Sequence, residues 1–197
     1  IVLGVWDYIK NSGKYPETAN RAIDFIGMIP GKRDSYRVVG EHIFTQHDIE
    51  KNWSSMPDQI GAVGWPLEDQ TSEGFYASGK KPAIYGGKVP FYNLPLSIMC
   101  AKGLSNLMMA GRNISASHLA FTSTRVMNSC AVGGQAAGTA AAMCAKSGCA
   151  PKDISASPEL VGKLQQNLLK DGHIILGVKN SDPLDLARKA KISASNS

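Results

Sequence analysis

From Ala131 to Ala142 the chain reads AVGGQAAGTAAA, a run with almost no side chain on it. Gly133, Gly134 and Gly138 each weaken a helix by roughly 1 kcal/mol relative to alanine. A helix here therefore needs a compensating contact made by bare backbone. Three contacts can provide it: another element packed closely, a membrane-embedded interface, or a cofactor lying against the helix start. Length and polarity exclude the membrane, because no apolar run approaches the ~20 residues a span requires. Helix starts carry unpaired N–H groups and partial positive charge, which suit a pyrophosphate or another electron-rich group. Residue types alone leave close packing and cofactor approach equally open.

The surrounding pattern assigns elements. Leu107 to Ala110 is predicted as a short buried strand ending at Gly111, where a missing Cβ lets a ligand approach the main chain. The Ala/Gly run belongs to a long helix from about Asn128 to Lys146, closed by Gly148 as its C-terminal cap. Upstream, Trp6, Tyr8 and Ile9 mark a first helix broken at Asn11-Ser12-Gly13. A second helix is predicted to open at Pro16-Glu17, with Ala19, Ala22, Ile23 and Ile26 on one face, and to stop at Pro30-Gly31. Asp34 to Phe44 reads as a β-strand, and Thr45 caps a short helix at residues 46–50. Residues 54–82 read as loop around a short strand at Ile60 to Trp65. Ile84 to Tyr92 reads as a hairpin turning at Gly86-Gly87, with Val89 to Tyr92 as an edge strand. Ser157-Pro158-Glu159 starts a helix carrying Leu160, Val161, Leu164, Leu168 and Leu169, which Asp171-Gly172 ends. A further short helix is predicted after Asp182, with fraying from Ser193. The fold class is α/β in the mixed α+β sense.

Composition removes several functions. With 43% hydrophobic and 19% charged residues, the 197-residue chain is ordinary packed protein. Its net charge of +5 is scattered, with no dense basic run and no nucleic-acid-reading module. The opening Ile1-Val2-Leu3-Gly4-Val5 is too short for a secretory signal and lacks a basic leader. Cys100, Cys130, Cys144 and Cys149 fit neither a zinc pattern nor a disulfide framework, and Cys144 and Cys149 stand five apart, unlike CxxC. Reduced thiols are expected for most of them. His42, His47 and His173 form no metal set, and no iron–sulfur spacing is present. Trp53, Trp65, Tyr85 and Tyr92 lie in loop-rich stretches, where aromatics can stack on sugars; aromatics at this density more often build a core. A glycosidase would also need two placed carboxylates that sequence cannot locate.

Two stretches together carry a resemblance. The run NLMMAGRNISASHLAFTSTRVMNSCAVGGQAAGTAAAM, Asn106 to Met143, resembles the C-terminal cofactor-contacting segment of the FAD-dependent oxidoreductase family. Pro30-Gly31-Lys32-Arg33-Asp34-Ser35-Tyr36-Arg37-Val38-Val39-Gly40 looks like the same family's strand entry, with Tyr36 where relatives often carry arginine. The order of the two is that of the family, so the resemblance extends over nearly the whole chain. It implies FAD as cofactor and hydride transfer to or from a small organic substrate. It also implies that the phosphates are held mainly by an N-terminal βαβ unit with GxGxxG, a motif this sequence lacks. The expected reading is thus the C-terminal part of a larger flavoprotein. Residues 1–100 would form a substrate-facing region, 101–150 a returning segment of the FAD domain, and 151–197 a helical end. The missing N-terminal half would be a partner.

Candidate residues follow. Arg33, Ser35 and Arg37 alternate onto one strand face and can bind a carboxylate or hydroxylated substrate, with a solvated face as the plain alternative. His118 can take or give a proton, although loop histidines are often merely exposed. Arg125 resembles an arginine that contacts substrate or flavin in fumarate-reductase-like enzymes; its plain alternative is a scaffold salt bridge. Gly111, Arg112, Ser129, Gly133, Gly134 and Gln135 are the cofactor-binding candidates. The rival function is a non-catalytic binding or assembly module, in which the Ala/Gly helix is a tight packing seam.

Overall fold

The computed structural model describes residues 1–29, 31, 36–51 and 56–195. Contacts divide the chain into two units, Ile1–Arg33 and Asp34–Ser197.

The first unit is α1, Val2–Asn11, followed by one 3-10 turn at Pro16–Thr18. The second helix predicted through Ile26 is absent beyond that turn. Lys10 explains why. Its Nζ donates to the carbonyls of Thr18 (3.0 Å), Ala19 (2.7 Å) and Arg21 (3.0 Å). Those carbonyls would otherwise accept from amides four residues on, and an ammonium has three donors to capture them with.

In the second unit the long central helix sets the frame. Helix α2 is Gln46–Glu50, with the Asp48 carboxylate reaching back to the Thr45 amide at 2.7 Å, as the predicted cap requires. Four short strands follow: β1 (Gln59–Val63), β2 (Glu68–Gln70), β3 (Ala83–Tyr85) and β4 (Tyr92–Pro95). They form two antiparallel pairs, β1 with β4 and β2 with β3. The helices are α3 (His118–Thr124), α4 (Met127–Ser147), α5 (Pro151–Ala156) and α6 (Pro158–Lys170). Helices with small antiparallel sheets make this the mixed class that the sequence indicates.

Three strand assignments are corrected. The hairpin at Gly86-Gly87 does not form, because Gly86 donates to the Leu67 carbonyl at 2.8 Å and β3 thereby extends its ladder with the segment before it. The strand predicted from Asp34 to Phe44 is irregular over its described residues. Its hydrogen bonds switch between neighbours: Val38 donates to Asn113, Glu41 to Cys100 and Phe44 to Ser115. Gly40 permits this threading, since a Cβ there would lie 2.9 Å from both Ser115 Cβ and the Ser97 carbonyl. The strand predicted at Leu107 to Ala110 is reduced to one bridge, Cys100 with Met108, and only Met109 of its residues is buried.

The core lies where β4 and the residues after it meet α4 and α6. Leu94, Leu96, Ile98 and Met99 are fully buried there with Ile60, Ala136, Ala140, Leu164 and Leu168. Asn93 is buried among them, and its side chain bonds Gln59 (2.6 Å), the Leu176 carbonyl (3.0 Å) and the Leu176 amide (2.9 Å). One amide thus joins β4, β1 and the chain after α6. Gly148 closes α4 in the left-handed conformation, φ 68°, as predicted. Ser157 caps α6 by accepting from Leu160 at 3.3 Å. The short helix predicted after Asp182 is a single 3-10 turn, Leu186–Lys189.

Candidate functional site

Helix α3 organises the site. Ser117 caps it by accepting from the Ala120 amide at 3.3 Å. His118, Thr122 and Arg125 recur at i, i+4 and i+7 on one face, and all three grip β2. Thr122 Oγ1 accepts from the Glu68 amide (3.1 Å), Arg125 Nη2 donates to the Glu68 carbonyl (3.0 Å), and His118 Nε2 meets Asp69 Oδ1 at 2.9 Å. Ser123 continues the grip by donating to the Trp65 carbonyl while accepting from the Tyr92 hydroxyl at 2.6 Å. Burial pushes the Tyr92 phenol up to about 12, partly offset by its bond to Ser123.

Phe121, 1% exposed, gathers charge on the same helix. The guanidiniums of Arg37, Arg112 and Arg125 stand 4.9, 5.1 and 5.9 Å from its ring centre. Each such contact is worth about 0.5–2 kcal/mol, depending on desolvation. Arg112 Nη1 also donates to the Arg125 carbonyl at 2.9 Å, fixing the turn between α3 and α4.

Helix α4 begins at that turn. Its N-cap is Val126, whose side chain cannot accept a hydrogen bond, and its first turn carries no acidic residue. Among the described residues, the leading N–H groups therefore lack a side-chain cap. Residues of this helix start help to wall a cavity of about 230 Å³, lined by Trp65, Phe91, Val126, Asn128, Ser129 and Val132. Phe91 packs closely on Gly64, where a Cβ would come within 2.5 Å of its ring. A second, open cavity of about 700 Å³ lies at the other end of α3, with His118, Asp69, Lys80 and Lys81 in its wall.

A family model described as FAD dependent oxidoreductase matches residues 1–168. The chain belongs to that family. No curated protein and no solved structure matches it. FAD is the cofactor the family implies, so the chain's residues can be tested against it. An uncapped helix start and a neighbouring arginine cluster suit the electron-rich pyrimidine edge of a flavin, and Trp65 and Phe91 suit its flat apolar ring. The cavity is smaller than the roughly 300–1,000 Å³ of whole-ligand sites. It is too small for the whole dinucleotide and has room for one edge of it at most.

The flavoprotein candidates named from sequence separate into groups. Ser129 is buried and lines the α4 cavity. Arg112 and Arg125 join Arg37 around Phe121, so the scaffold salt bridge expected as the plain role of Arg125 is instead a bond to a backbone carbonyl. Gly111 sits in a turn at φ 99°. Gly133 packs on Met99, whose Cε would lie 2.7 Å from an added Cβ, whereas Gly134 and Gly138 face open space and Gln135 is exposed. His118 lines the other cavity, and Arg33 and Ser35 lie outside the described residues. Of the aromatics, Tyr92 is core, Tyr85 is exposed, Trp65 walls the α4 cavity and Trp53 lies outside the described residues. All four cysteines are free, and burial pushes the Cys100 thiol up to about 12. No helix among the described residues is long and apolar enough to cross a membrane.

Sequence reasoning missed Asp69, Thr122 and the Trp65–Phe91 wall. The spacing of His118, Thr122 and Arg125 signals one polar helix face, but nothing local names the strand it grips.

His173 carries a pH dependence. Its ring is buried against Gly61, Nε2 has no hydrogen-bond partner among the described residues, and burial lowers its pKa below the usual 6.5. The folded state then binds fewer protons than the unfolded chain in that window. Stability is whole above about pH 6.5 and is lost as pH falls through the lowered folded value. Urea midpoints at pH 7.5 and pH 5.5 should show an acid-side loss in the wild type that is smaller in His173→Leu.

Proposed function

We propose that this chain supplies the ring-binding and substrate-facing part of a flavin-dependent oxidoreductase acting on a small organic substrate. The observation that carries the reading is the uncapped start of α4, open to an aromatic-walled cavity beside the arginine cluster. When bound, FAD supplies the redox step, accepting or giving a hydride. The α4 N–H groups and Ser129 hold its electron-rich edge, and Arg112 and Arg125 add positive charge there, which favours the anionic reduced ring. Gly111 leaves the backbone open to close approach, and of the three later candidates on α4, Gly134 and Gln135 are open to a ligand while Gly133 packs on Met99. Arg37 orients a carboxylate or hydroxyl of the substrate; the other two sequence candidates for that role, Arg33 and Ser35, lie outside the described residues. His118 holds or moves the proton that accompanies hydride transfer. In this reading residues 1–100 face the substrate, 101–150 complete the FAD domain and 151–197 brace it. The pyrophosphate contacts come from a preceding βαβ segment with GxGxxG.

Titration with FAD tests this directly. Flavin fluorescence should be quenched, and a bound yellow spectrum should form, with the longer polypeptide that includes such a βαβ segment, and weakly or not at all with these 197 residues. Absence of binding in both forms sinks the proposal. A second reading, an assembly module with an Ala/Gly packing seam, is favoured by the contact of Gly133 with Met99. That outcome would leave flavin unbound in both forms while the protein stays folded.

A further inference from the structure

The geometry points to Asp69 as the positioning residue of His118, fixing which ring nitrogen carries the proton. The inference rests on the proton-handling role proposed for His118. An ionised carboxylate accepts hydrogen bonds and cannot donate them. At 2.9 Å from Asp69 Oδ1, His118 Nε2 must therefore be the protonated nitrogen, and the lone pair of the neutral ring falls on Nδ1.

The pair is held by more than its own attraction. Glu68, the residue before Asp69, has both backbone groups bound to α3, through Thr122 and Arg125. Asp69 itself is in register with Ile84 across the β2–β3 ladder. One residue further along β2, the Asp69 main chain is thus held beside α3 independently of the ion pair. That matters because both side chains are partly exposed, 57% and 42%, where an ion pair alone contributes little. The pair also lies in the wall of the 700 Å³ cavity rather than in a crevice closed to ligands. Fixing the tautomer fixes which ring nitrogen can accept a proton, and a histidine in proton transfer requires that.

Ring-nitrogen spectra of the ¹⁵N-labelled full-length holoprotein at alkaline pH test the assignment, with His118→Gln identifying the signal. The wild type should show His118 with Nε2 protonated. Asp69→Asn should populate the Nδ1-protonated form, because a carboxamide can donate to Nε2. Asp69→Glu should restore the wild-type pattern. A wild-type ring protonated on Nδ1, or an Asp69→Asn ring unchanged from wild type, overturns the inference. Anaerobic flavin bleaching by small 2-hydroxy acids, used as probes, separates the two proposals. Unchanged bleaching in His118→Gln removes the catalytic role of His118, while the ring spectra alone judge Asp69.

Discussion

Phe121→Ala is expected to lower stability by about 3–5 kcal/mol, the usual cost of deleting a buried aromatic ring. The ring is 1% exposed and sits in the middle of α3, so the surrounding core can collapse only partly. Its loss also removes the face that gathers Arg37, Arg112 and Arg125. Phe121→Leu separates these effects. Leucine keeps an apolar side chain in place and should cost less than the alanine, but it offers no π-face for the guanidiniums. Urea denaturation of both variants measures the packing component. A loss under 1 kcal/mol in Phe121→Ala would show that the ring is not the centre of this cluster.

Gly61→Ala is the second large effect, at about 1–3 kcal/mol for overpacking a filled core. The added methyl would lie 2.4 Å from Val132 Cγ1 and 2.5 Å from His173 Nε2, and real Cβ atoms do not approach that closely. Neither neighbour yields easily. Val132 is fixed on α4, and the His173 backbone is tied to Leu168 at 2.9 Å. Gly134→Ala on the same central helix is the control, because nothing lies within 4 Å of its added methyl. That change should stabilise by roughly 0.5–1 kcal/mol, from helix propensity alone. Thermal unfolding should move in opposite directions for the two alanines. A loss at Gly134 as large as that at Gly61 would mean that the outer face of α4 is covered.

Helix boundaries were the most legible part of this chain. Glycine at 148, serine at 157 and threonine at 45 act within one turn, and the helices they delimit form where the local chemistry places them. Strand partners were much less so. Gly86-Gly87 is a good local turn signal, yet β3 pairs backward with β2 and β4 pairs with β1, because pairing depends on what the rest of the core buries. The helix predicted after Pro16 lost to a distant lysine for the same reason: Lys10 takes its carbonyls. At the candidate site, the resemblance named Arg112, Arg125 and Ser129, which lie in one continuous segment. It could not find Asp69, 49 positions from His118, or the convergence of Arg37 with the other two arginines. Of the two readings left open by the composition of the Ala/Gly run, the structure shows close packing, and cofactor approach at the helix start is the proposal made above. Gly133 is spent on close packing against Met99, while the helix start one turn earlier stays open.

That open start is the centre of the account, and Asn128→Asp tests it most directly. Asn128 is exposed, lies in the first turn of α4 and lines the cavity, so the change adds one negative charge with almost no change of shape. Near a helix N-terminus such a charge stabilises by about 0.3–1 kcal/mol. It should also repel the electron-rich edge of a flavin held there. Unfolding and FAD affinity of the intact flavoprotein should therefore move apart, with a slightly higher melting temperature and FAD binding weakened about tenfold, or about 1.4 kcal/mol. A rise in stability with FAD affinity unchanged or improved would contradict a flavin at the start of α4.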